Sequence, residues 1–194
     1  MGFVKGSRAA FGVGAGEHGD VPDLLWDDVK CFFDPDLMGS LPDVRVPDAS
    51  VEDWQTVLDL VEARGWKCRY SEGETVLPVP RAKAVLSRPR GAECPNLRVR
   101  PTAGVLAIFR FRDHDEIDFD VDLRELQGQE RLDAFCEFLR EIGRSVGKPV
   151  LMDPEGDHGH AVLGFEVEAD RVVLLIQPPL RYPPPAGARG RCRL

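Results

Sequence analysis

The sequence predicts an α+β fold: a mainly antiparallel sheet with helices packed on one face, a two-layer sandwich. Three observations point to it. Strict two-residue alternation runs through residues 105–112 and 118–124, the pattern of strands with one apolar and one ionic face. Apolar stripes at i, i+3, i+4 and i+7 mark amphipathic helices. Strand patterns come in adjacent pairs joined by short turns, which favours antiparallel hairpins.

In chain order, Asp23 to Phe33 reads as a short helix with Leu25, Val29 and Phe32 on one side. The phrase FFDPDLMGSLPD is a turn-rich connection. Val44 to Val46, bounded by Pro42 and Pro47, reads as a short edge strand, because proline cannot donate to a ladder. A second helix opens at Ser50, a good N-cap with Asp53 at N3. Its stripe is Trp54, Val57, Leu58 and Val61, and Gly65 ends it. Strands at 66–70 and 75–79, a short helix at 81–87 and a strand at 97–100 follow.

In the middle hairpin, a loop at 113–117 places Arg112 opposite Asp118 and Arg110 opposite Asp120. On the other face Phe111 meets Phe119, Phe109 meets Val121 and Ala107 meets Leu123. A one-residue slip would oppose charges to Phe and Val. A third helix at 129–146 buries Leu132, Phe135, Cys136, Leu139 and Ile142 and stops at Gly147. The last hairpin, 161–168 with 171–177, turns at Ala169-Asp170 and pairs Val167 with Val172, Phe165 with Leu174 and Leu163 with Ile176. Trp26, Trp54 and Trp66 sit in or beside apolar stripes and read as core.

Residues 21–178 therefore form one domain. Residues 1–20 are Gly-rich and expected to be mobile, and 179–194 form a Pro- and Arg-rich tail expected to be disordered. No apolar run approaches the roughly 20 residues of a membrane helix. The five cysteines are scattered without a C-x-x-C, so zinc ribbons and disulfide frameworks lack support, and a cytoplasmic, reduced chain is expected.

The formal net charge is −8, which disfavours nucleic acid as a partner of the main domain. Its distribution is blocky: net −11 over 17–62, +8 over 63–112 and −12 over 113–170.

Two clusters are candidate sites. Asp118, Asp120 and Asp122 line one strand face, with Glu116 just before them. They read as cross-strand partners of Arg110 and Arg112, as a partner-binding surface for a basic protein, or as alternate carboxylates that could share a hard cation, although no EF-hand glycine follows. The stretch from Asp153 to His160 brings His158 and His160 beside Asp157 and Glu155. That set, with His114 as a further donor, could hold zinc or another divalent ion and support a metal-dependent hydrolase; it equally marks a polar surface loop. No cofactor is expected on the first reading. Phosphate-binding loops, nucleophile elbows and H-E-x-x-H are absent, and Gly12-x-Gly14-x-Gly16 lacks dinucleotide spacing.

The phrases FFDPDLMGSLPD, EIDFDVDLRELQGQERLD and GKPVLMDPEG resemble a group of acidic, stand-alone actinobacterial proteins of uncharacterised chemistry. The 20 Arg against 5 Lys fit such a source. The architecture is loosely similar to immunity proteins and antitoxins, which implies a non-enzymatic protein-binding module. A homodimer through an open sheet edge is a third reading.

Overall fold

A computed structural model describes residues 21–89 and 91–176. The expectations for 1–20 and 179–194 lie outside the described residues.

The elements run α1 (Trp26–Val29), a 3-10 turn (Lys30–Phe33), α2 (Pro35–Met38), β1 (Asp43–Val46), α3 (Val51–Ala63), β2 (Lys67–Glu72), β3 (Thr75–Leu77), α4 (Ala82–Leu86), β4 (Asn96–Thr102), β5 (Val105–Arg110), β6 (Ile117–Val121), α5 (Gln129–Val146), β7 (Val150–Asp153), β8 (Leu163–Glu166) and β9 (Arg171–Leu174). The nine strands form one antiparallel sheet in the order β3-β2-β4-β5-β6-β1-β7-β8-β9, with the helices on one side. This is the α+β arrangement the alternation predicts.

The core lies between the sheet and helices α3 and α5. Trp54 of α3 packs on Phe111 at a centroid distance of 4.7 Å. Phe138 of α5 meets Phe119 at 5.7 Å and Trp66 at 5.1 Å. Trp54, Phe109, Phe119 and Phe135 are fully buried. The α3 N-terminus carries the expected capping box: the Ser50 hydroxyl accepts the Asp53 N–H, and the Asp53 carboxylate accepts the Ser50 N–H. Gly147 closes α5 in a left-handed conformation at φ +66°, which glycine adopts without steric penalty. Gly143 on the same helix lies against the Phe165 ring, leaving no room for a Cβ.

Several expectations are corrected. The strand bounded by Pro42 and Pro47 is interior, not at an edge: β1 pairs with β6 on one side and β7 on the other. The prolines lie just outside its ladder and so bracket the strand without breaking it. The first helix starts at Trp26 and turns 3-10 after Val29, leaving Leu25 exposed. Strand β7, framed by Pro149 and Pro154, was not anticipated.

Both hairpins sort their faces as expected but sit two residues from the expected register. In the middle one, Phe109 faces Phe119 and Arg110 faces Asp118. A turn in which the Arg112 N–H reaches the Arg110 carbonyl ends β5 early. That frees Phe111 to pack on Trp54 instead of Phe119. In the last hairpin Phe165 faces Val172, and Val167 is exposed in the turn. A two-residue shift preserves every side chain's face, so alternation alone cannot distinguish the registers.

The outer margin of β9 is clasped by Asp23. Its carboxylate accepts the Val172 N–H at 2.8 Å and pairs with Arg140 at 3.2 Å.

Candidate functional site

The face of the sheet away from the helices is ionic. Two rows of residues in register cross it. One runs Arg69, Arg98, Ile108, Asp120, Asp43, Asp153 from β2 to β7. The other runs Ser71, Asn96, Arg110, Asp118, Arg45, Leu151.

The acidic half spans β6, β1 and β7. Carboxylates directly opposite one another repel, and arginines offset that here. Arg45 Nε donates to Asp153 at 2.6 Å, Arg110 Nε to Asp120 at 2.8 Å, and Arg112 lies 3.3 Å from Asp118. Asp153 is fully buried, and its Oδ1 has no hydrogen-bond partner. Oxygens of Asp43, Asp118 and Asp120 lie within 4.8 Å of one another. Burial, then the neighbouring Asp120, Asp43 and Glu116, push the Asp118 carboxyl up to about 6 against the pull of Arg112.

The loop after β7 brings the second cluster here. Glu155 donates its N–H to the Met38 carbonyl, and its carboxylate accepts the Leu41 N–H at 3.1 Å. Gly156 then donates to Asp43 at 3.2 Å, and His158 Nε2 comes within 3.8 Å of Glu116. Asp43, Arg45, Arg112, Glu116, Asp118 and His158 line an open cavity of about 430 Å³.

Glu116, Asp118, Asp120 and His158, expected in two separate sites, thus meet in one. Asp122 does not join them: it lies beyond β6, held by Arg124 at 2.7 and 2.8 Å, which lowers its pKa. His160 pairs at 2.7 Å with Asp157, both exposed, while His158 faces Glu116. His158, His160 and Asp157 do not converge as a ligand set. His114 is exposed beside Asp113. Sequence reasoning missed Asp43 and Arg45, although the alternation D-V-R-V was their signal.

The basic half spans β2 and β4. Lys67 faces Arg100, and Arg69 faces Arg98, like charge directly on like charge. Arg100 reaches Glu125 at 2.8 and 3.0 Å. Lys67, Arg69 and Arg98 are exposed and make no ion pair among the described residues.

The fold and site define a class by architecture: an antiparallel sheet protein with one helix-covered face and one open face divided into acidic and basic halves. Comparison with protein-family models, curated proteins and solved structures finds no match.

Proposed function

We propose that the chain is a non-enzymatic protein-binding module, in the manner of an immunity protein or antitoxin, whose acidic half receives a cationic side chain of a basic partner. The observation that carries this reading is an open cavity lined by Asp43, Asp118, Glu116 and His158, with the buried Asp120 carboxylate within 4.8 Å of those of Asp43 and Asp118. A guanidinium or ammonium entering there meets several carboxylates and favours the charged form of Asp118, whose carboxyl is pushed up to about 6 mainly by burial and, to a lesser degree, by Asp120, Asp43 and Glu116. Complementary charge of this kind sets encounter rate and partner choice more than raw affinity.

Calorimetry with a short oligoarginine peptide tests it. Asp118→Lys should abolish binding, while Asp27→Lys, an equal charge change on the exposed α1, should leave it nearly intact. Equal effects of the two substitutions would defeat the proposal.

The same carboxylate trio favours one second reading, a metal-dependent hydrolase. A hard divalent cation would then sit on Asp43, Asp118 and Asp120, in place of zinc on His158, His160 and Asp157. A rise in melting temperature with manganese or zinc, lost in Asp43→Asn, would support it; no rise with either ion would remove it.

A further inference from the structure

The basic half of the open face is unexplained by the reading above. Four cations stand there in two directly opposed pairs, Lys67 with Arg100 and Arg69 with Arg98. Such pairing is unfavourable within the chain. Glu125 offsets it at Arg100, while Lys67, Arg69 and Arg98 are exposed and make no ion pair among the described residues. The helices lie on the other side of the sheet, so this side of β2 and β4 is open. All four cations belong to the segment 63–112, whose net charge is +8.

The two pairs are consecutive rungs of one ladder on one face. They stand two residues apart along each strand, about 7 Å, with the strands about 4.8 Å apart. An extended polypeptide repeats with the same two-residue period, its alternate side chains pointing to one side. A segment with acidic residues at i and i+2, laid along β2 and β4, therefore sets one carboxylate over each rung. There each carboxylate meets two cations, and the planar guanidinium groups of Arg69 and Arg98 can grip it through paired N–H donors. A nucleic-acid strand brings the same sign of charge, but at every residue along its length. The cavity lined by Asp43, Glu116 and Asp118 lies on the same face, with β6 two strands, or about 10 Å, from β4, and the whole chain carries a net −8. Those charges repel a continuous polyanion, whereas a protein can confine its carboxylates to one short segment.

We infer that the open side of β2 and β4 is a docking surface for an acidic protein segment in extended conformation, with carboxylates on alternate residues. Lys67, Arg69 and Arg98 hold the segment, and Arg100 is shared between it and Glu125. The like-charge contacts that are unfavourable in the isolated chain become pairs of cations around an anion. Because the contacts are ionic and exposed, binding weakens as salt rises. The inference stands apart from the cavity reading: it rests on other strands and the opposite sign of charge, and it uses none of the acidic residues.

Fluorescence anisotropy of a short labelled peptide of alternating glutamate and threonine tests it, with the full chain at low and high salt. The peptide should bind at low salt and be released as salt increases. Arg69→Glu and Arg98→Glu should each raise the dissociation constant by roughly tenfold, because each turns an attraction into a repulsion. Lys83→Glu, the same charge change on α4 across the sheet, should leave binding nearly intact. All three positions are exposed, so folding should be untouched, and circular dichroism checks this. Absence of binding at low salt, equal losses from Arg69→Glu and Lys83→Glu, or tighter binding of an oligothymidylate of equal charge overturns the inference. The oligoarginine experiment reads the acidic half, so either proposal can fail without the other.

Discussion

The two halves of the open face use charge in opposite ways. On β6 and β7, the paired aspartates Asp118, Asp120 and Asp153 are buried or nearly so; Asp120 and Asp153 reach arginines of the neighbouring strands β5 and β1, and Asp118 reaches Arg112 in the turn after β5. On β2 and β4, Lys67, Arg69 and Arg98 stand exposed, and each faces a cation across the ladder. The first arrangement is internal to the fold, most fully at β7, where removing Arg45 strands Asp153 in a place water cannot reach. In the second, Lys67, Arg69 and Arg98 make no ion pair among the described residues, and only Arg100 is held, by Glu125. Charges that an isolated chain does not need are the better guide to what the surface meets.

The comparison breaks most visibly at Arg45. Asp153 is 0% exposed and Arg45 is its cation. Arg45→Ala should cost about 3–5 kcal/mol in urea unfolding, the scale for orphaning a buried charge. A loss under 1 kcal/mol would mean that the acidic half is as dispensable as the basic one.

Asp118 comes next. Its folded-state pKa of about 6 stands above the ordinary 3.8, so the folded state binds the proton more tightly than the unfolded one. Stability should therefore fall as pH rises from about 4 to about 6, and remain lowered above that. Asp118→Asn should flatten this slope. It should also raise stability at pH 7 by on the order of 1–3 kcal/mol, less whatever the Arg112 contact contributes. Denaturant titrations at several pH values read this directly, and an unchanged slope would show that burial of Asp118 does not set the pH dependence of stability.

The smallest effect belongs to the basic half. Arg98→Thr removes one member of a like-charged cross-strand pair and places a β-branched residue in a strand. It should stabilise the monomer by roughly 0.2–1 kcal/mol. Destabilisation would reveal a contribution to the fold that the geometry does not display.

How much of this was legible beforehand depended on the kind of signal. Helix α5 matches its expected span of 129–146 because a stripe, a glycine stop and a following proline agree. The capping box at Ser50 and Asp53 is likewise local chemistry. The sorting of Phe109 and Phe119 from Arg110 and Asp120 was readable because a strand's period is two. The register was not, for the same reason: shifts by two are degenerate in that pattern, and the turns that decide between them depend on Phe111 finding Trp54. The central place of β1 was hidden by its flanking prolines. The candidate site needed three segments far apart in sequence, around Asp43, Glu116 and His158, and no local pattern joins them. Only the Asp118–Asp120 pair announced itself.

The Asp23 clasp has a consequence for how this chain behaves at high concentration. An outermost strand with free amides is a template on which a foreign strand can be added, and repeated addition is the first step towards fibrils. At β9 the Val172 amide is already engaged by a carboxylate that is itself tethered to α5 through Arg140. Lateral growth at that end would have to evict an anion from its guanidinium, so runaway polymerisation is discouraged there by a single side chain.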